Sequence, residues 1–142
     1  LTQLYTRLIC DEFYGITPEH GYGYGQDEDQ GQLGAWYVMA AMGLFDVQGG
    51  TNISPSYQIG SPKFRKITIK LDPRYYSGKT FVIETENNAP NHYYVQSATL
   101  NGQLLEDCWF YRREIINGGH LKLQMDSTPN THWGISSIPH SK

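Results

Sequence analysis

The stretch Leu33-Gly34-Ala35-Trp36-Tyr37-Val38-Met39-Ala40-Ala41-Met42-Gly43 decides how the chain is read. Leu33, Ala35, Trp36, Val38, Met39, Ala40, Ala41 and Met42 cover every side of a helix, and a helix with no polar face is normally enclosed. Gly43 is its C-terminal stop. The pattern predicts a helix that starts near Asp29 or Gln30 and ends at Met42. One neighbouring helix and a small sheet cannot cover it. It therefore predicts docking onto a larger body.

Upstream, Leu1, Leu4, Tyr5, Leu8, Ile9 and Phe13 mark one apolar face at helical spacing. They predict a first helix over Leu1 to Tyr14, closed by Gly15 and Pro18. It opens at Leu1 without a cap, as in a portion of a longer protein, and any targeting segment would then lie elsewhere. Downstream of Tyr57 the period changes to two. Ile67, Ile69 and Leu71 alternate with polar residues, as do Phe81 and Ile83, and Leu121, Leu123 and Met125. Tyr93 to Leu100 is a further run, and Asn101-Gly102 after it signals a tight hairpin. Trp109 to Tyr111 is another, and Trp133 to Ile135 is expected to close the sheet. The expected class is α+β: two helices in residues 1–50, then a mainly antiparallel, sandwich-like β-region in 51–142.

A length of 142 residues suits one domain, or a domain with an appendage. Eleven Lys and Arg against fourteen Asp and Glu leave a net charge of −3, so no basic field is available to hold nucleic acid. The longest apolar run, Ala35 to Met42, is far short of the about 18 residues of a membrane span. Aromatics at 13% suit β-structure and sugar-binding surfaces alike. Cys10 and Cys108 allow a single bridge that spacing does not establish, and two free thiols are the favoured reading, with no metal or redox spacing between them.

The densest chemistry lies in Gly25-Gln26-Asp27-Glu28-Asp29-Gln30-Gly31-Gln32. One structural reading makes Asp29 an N-cap and Gln32 its capping-box partner. One acid suffices for that purpose, which leaves two unexplained. Three adjacent carboxylates repel unless a cation or proton relieves them. A hard divalent ion such as calcium accepts carboxylate, amide and carbonyl oxygens, and Gln26, Gln30 and Gln32 add amide oxygens beside the carboxylates. An ionised Asp can activate water as a general base, as in inverting glycoside hydrolysis. The preceding His20-Gly21-Tyr22-Gly23-Tyr24-Gly25 could let a sugar approach closely, with His20, Tyr22 and Tyr24 as contacts.

From Gly25 to Tyr37 the chain resembles a signature of the glycoside hydrolase family 92 α-mannosidases. The resemblance continues through Gly43-Leu44-Phe45, Tyr57-Gln58-Ile59-Gly60-Ser61-Pro62-Lys63-Phe64, Gly78-Lys79-Thr80-Phe81, Gln96-Ser97-Ala98-Thr99-Leu100-Asn101-Gly102, Pro129-Asn130 and Trp133-Gly134. It implies a calcium-dependent, inverting exo-α-mannosidase, with α-1,2-linked mannosides of N-glycans or mannans as substrates. It implies that the helices end an (α/α)6 barrel, with an N-terminal β-domain elsewhere in the polypeptide. It places the general base at Asp29, or else Asp27, with Asp27 otherwise supporting the water or, with Gln30, the metal shell, and Glu28 a weaker base candidate and a substrate contact. The general acid is a Glu well upstream, so this chain alone is expected to be inactive. Family habit implies a secreted, periplasmic or cell-surface bacterial enzyme. The rival reading is a non-catalytic carbohydrate-binding or structural β-module.

The remaining histidines, His92, His120, His132 and His140, read as scattered surface groups. Trp36, Trp109 and Trp133 read as core. Asn52-Ile53-Ser54 fits a glycosylation acceptor, which matters only in a eukaryotic secretory host.

Overall fold

The computed structural model describes residues 1–20 and 30–139. Helix α1 (Thr2–Glu12) and helix α2 (Gln32–Met42) precede strands β1 (Leu44–Phe45), β2 (Ser56–Ile59), β3 (Lys66–Lys70), β4 (Thr80–Glu86), β5 (Tyr94–Leu100), β6 (Gln103–Leu105) and β7 (Trp109–Tyr111). A short helix α3 (Arg112–Ile116) leads into β8 (Gly119–Asp126). The α+β expectation holds: helices first, then sheets. Strands β1, β2 and β7 form a three-stranded sheet, and β3-β4-β8-β5-β6 form a five-stranded one.

Period-2 patterning builds the larger sheet. Phe81, Ile83 and Thr85 of β4 point inward, and so do Leu121, Leu123 and Met125 of β8. In the register Ile83 lies opposite Leu121, and Thr85 opposite Leu123. The same core takes in Val95 and Ala98 of β5, and Leu44, Ile59 and Phe110 from the smaller sheet. Phe81 and Phe110 stack across the two sheets at 5.9 Å. Burying each such side chain stabilises the fold by about 1.5–3 kcal/mol.

One strand pairing departs from the antiparallel expectation: β4 and β8 run parallel. Strand β8 enters between β4 and β5, so these sequence neighbours never pair. A parallel pair needs a long crossover, and β5 to α3 supply it. The predicted hairpin forms at Asn101 and Gly102, with φ of 52° and 80°, as a tight turn with two left-handed residues requires. Trp133 to Ile135 does not add a strand; Gly134 and Ile135 make only isolated bridges to Asp107.

Helix α2 ends as predicted at Gly43, where φ is 73° and the N–H reaches the carbonyls of Met39 and Ala40. Glycine is needed here twice over, since a Cβ would lie 2.5 Å from Pro62 Cγ and Cδ. The helix start differs from expectation. Gly31 occupies the N-cap in a left-handed conformation, and Asp29 of the expected capping box lies outside the described residues.

Helix α1 turns the opposite face inward from the one its apolar residues suggest. Its buried residues are Arg7 and Cys10. Leu1, Tyr5 and Phe13 are 85%, 57% and 46% exposed, and Ile16 just beyond is 87% exposed. Val38 on α2 is also exposed. Among the described residues, no helix is long and apolar enough to cross a membrane.

Candidate active site

The segment Gly60–Lys63 holds the two helices to the β-region. Gly60 N–H donates to the Gly43 carbonyl at 2.7 Å, and Lys63 N–H to the Ala41 carbonyl at 3.0 Å, which fixes the end of α2. Arg7 Nη1 donates to the Pro62 carbonyl at 2.5 Å, which fixes α1, and Asn88 Nδ2 donates to the same oxygen at 3.2 Å. Ser61 and Pro62 are fully buried at this junction.

The Arg7 guanidinium is 4% exposed, 5.7 Å from the Tyr93 ring centroid, and its Nε has no hydrogen-bond partner. Asp11, one turn along α1, stands 3.9 Å from that Nε and 2.5 Å from Lys63 Nζ. Burial pulls the Lys63 pKa down. The hydrogen bond and charge of Asp11 outweigh it and hold the ammonium above its ordinary 10.5. Nothing in the sequence marked Arg7 or Asp11, and Lys63 stood out only as part of the stretch from Tyr57 to Phe64 that resembles the family. The apolar spacing of α1 drew attention to the other face, and a buried charge carries no periodic signal.

His20 is half-buried at the entrance to the acidic stretch. Its N–H donates to the Thr17 carbonyl at 3.1 Å, and its Nδ1 lies 2.8 Å from Thr17 Oγ1. The ring packs against Gly15 so closely that a Cβ there would overlap it. Hydrogen bonds from its own N–H and from Thr17 hold the neighbouring Glu19 carboxylate below its ordinary range, with the charge of His20 adding to them. The imidazole is thus held through Nδ1 by Thr17.

Gln30 is exposed and has a left-handed backbone, φ 56°, followed by Gly31 at 80°. A long side chain in that conformation costs about 1–3 kcal/mol and tends to occur at functional turns. Asp27, Glu28, Asp29, Tyr22 and Tyr24 lie outside the described residues. Among the described residues, no group of three His, Cys, Asp or Glu side chains could hold a metal ion. Of the two expected calcium ligands, only Gln30 is placed.

Tyr14 was not singled out in the sequence. Its hydroxyl donates to the Leu33 carbonyl at 3.1 Å, and its ring stacks on Trp36 at 5.5 Å and lies against Tyr37 at 5.0 Å. Trp36 is therefore half-buried against another aromatic rather than core. Trp109 is core at 8% exposure, and Trp133 is half-buried, its indole N–H donating to the Leu105 carbonyl. Cys10 and Cys108 are free, as expected. A cleft of about 850 Å3 opens between the helices and the sheets, lined in part by Gln3, Trp36, Phe45, Gln58, Asn130 and Trp133. Neither His20 nor Gln30 borders it.

Comparison with known proteins places this geometry. A family GH92 α-mannosidase from Bacteroides thetaiotaomicron superposes with a TM-score of 0.83 at 30% identity, over 98% of this chain and 18% of its own. A family GH92 inverting mannosidase from the same species superposes at 0.80 with 39% identity, over 99% of this chain and 18% of its own. A curated protein from Arthroderma benhamiae, described as an uncharacterized secreted glycosidase, is 32% identical over 114 residues, or 79% of this chain and 14% of that protein. The chain therefore spans under a fifth of the length of these relatives. Residues 1–127 match the model of the glycosyl hydrolase family 92 catalytic domain, and the chain belongs to that family.

Proposed function

We propose that this chain is a portion of an inverting exo-α-mannosidase and supplies its general base. The observation that carries the reading is the family match over residues 1–127, together with 39% identity to an inverting mannosidase. In the proposed mechanism, Asp29 takes a proton from a water molecule as that water attacks the anomeric carbon. Asp27 supports the water, and an acid elsewhere in the polypeptide protonates the leaving oxygen. Inversion needs those two carboxyl groups about 6.5–9.5 Å apart. With the acid upstream, the 142-residue chain alone would not turn over substrate.

His20, Tyr22, Tyr24 and Glu28 are the proposed sugar contacts. The fixing of His20 by Thr17 supports its part, since a preset imidazole loses little entropy on binding. Calcium is proposed on Asp27 and Gln30, where it would supply positive charge to the 2- and 3-hydroxyls of mannose. No step of the proton transfer depends on it.

The outward apolar stripe of α1 supports the reading of residues 1–50 as the end of an (α/α)6 barrel whose other helices cover that stripe. Residues 51–142 are read as a sandwich-like region beside it. The match to a catalytic-domain model weighs against a separate binding module. Substrates are proposed to be α-1,2-linked mannosides, and the name of the Arthroderma relative supports secretion.

The test uses the full-length polypeptide that carries this chain. Asp29→Asn should abolish turnover of α-1,2-mannobiose and retain its binding, and chelation of calcium should weaken binding. Turnover near the wild-type rate in both Asp29→Asn and Asp27→Asn would end the proposal.

A further inference from the structure

The cleft of about 850 Å3 between the helices and the sheets has no part in the mechanism above. Residues of α1, of α2 and of both sheets line it, so it is a feature of their junction. Among the described residues, no charged side chain borders it. Its rim is apolar and open: Val47 and Ile135 border it and are 74% and 72% exposed. Leu1 belongs both to this border and to the outward stripe of α1, so the two apolar surfaces are continuous. An uncharged apolar cleft with an apolar rim has the composition of the centre of a protein interface.

Two amides bear on what fits. Gln3 of α1 accepts the Val95 N–H on its Oε1 at 3.2 Å, and Gln58 of β2 accepts the Val47 N–H on its Oε1 at 3.2 Å. Both residues border the cleft. Each amide is held through its oxygen, which leaves its NH2 group to donate. Backbone carbonyls set among apolar side chains match that lining. A sugar carries hydroxyls all round and would leave most of them facing aliphatic groups.

We infer that the cleft is the seat of a segment of the same polypeptide that lies outside these 142 residues. The inference rests on the reading above of the chain as a portion of a larger enzyme. The chain spans under a fifth of the length of its relatives, and the same fold sits inside them. Apolar surface from the rest of such a polypeptide is tethered beside the cleft at high effective concentration, as a second copy or a diffusing ligand is not.

The test is hydroxyl-radical footprinting of the full-length polypeptide, read residue by residue with mass spectrometry. Val47 and Ile135 should be oxidised about tenfold or more slowly than Ile53, which is 88% exposed and does not border the cleft. Val47→Asp and Ile135→Asp should each lower the melting temperature by about 5 °C or more, and Ile53→Asp should leave it nearly unchanged. Oxidation of Val47 and Ile135 at the rate of Ile53 would overturn the inference. So would shielding that disappears on dilution, which marks a second copy, or shielding that appears only with added α-1,2-mannobiose, which marks a sugar site. Should either Asp variant fail to fold, the wild-type footprint decides alone. A native protein with the intact mass of the 142 residues alone would end the reading of the chain as a portion, and this inference with it. A longer protein with an open cleft would end this inference alone.

Discussion

Replacing Gly43 with alanine separates two costs that the junction between α2 and the β-region imposes. A non-glycine residue at the φ of 73° found there costs about 1–2 kcal/mol. The new Cβ would also lie 2.5 Å from Pro62 Cγ and Cδ and 2.7 Å from Pro62 N. Pro62 is fully buried, and its carbonyl is held by Arg7 and Asn88, so it has little room to yield. Overpacking of that kind adds about 1–3 kcal/mol. The sum is about 2–5 kcal/mol. Gly102→Ala supplies the control, since Gly102 has a φ of 80° and nothing within 4 Å of its would-be Cβ. It should cost only the backbone part. Urea denaturation reads both variants, and a difference of that size moves the midpoint by on the order of 1 M. Equal losses in the two variants would refute the close seating of Pro62 on Gly43, and with it the account of how α2 is fixed.

Other consequences follow from the same junction. Arg7→Ala should destabilise by about 2–4 kcal/mol in urea, from lost volume and a lost charged hydrogen bond. Arg7→Met should stay within about 1 kcal/mol, because the Pro62 carbonyl keeps Asn88 as donor and a desolvated guanidinium is removed. Equal losses would show that the charge, not the packing, fixes α1. The folded-state pKa of Lys63 is raised above 10.5, so its pairing contributes stability that is fully present below that pH and fades as pH climbs through the folded value. The stability gap between wild type and Lys63→Met should hold from neutral pH to about 10 and narrow above it; a gap that closes nearer neutrality would contradict the pairing. Burial pushes both thiols up in pKa. Cys108, on the cleft, should react slowly with Ellman's reagent, and Cys10, at 1% exposure, only on unfolding. Equal native rates would argue against the observed packing of α1.

Much of the fold was legible because it is local. Alternation predicted β4 and β8, Asn101-Gly102 predicted a tight turn, and Gly43 predicted the end of α2. What escaped depends on distant partners. Strand β1 has two residues and exists only through its pairing with β2. The parallel register of β4 with β8 is set by a crossover, which no window of sequence reports. Helix α1 misled because its apolar face is real but points outward. At the candidate site, composition flagged the carboxylates. It could not flag Tyr14, whose meaning comes from a carbonyl nineteen residues away. The capping motif at Asp29 and Gln32 was well formed in sequence, yet the consecutive left-handed residues Gln30 and Gly31 put the helix start elsewhere.

The most direct measurement is a crystal structure of the full-length polypeptide with a mannose-configured inhibitor bound. The account predicts the Asp29 carboxylate about 3 Å from a water that faces the anomeric carbon, with Asp27 beside it and a second carboxyl group across the ring. An inhibitor bound with both aspartates remote from that carbon would contradict it.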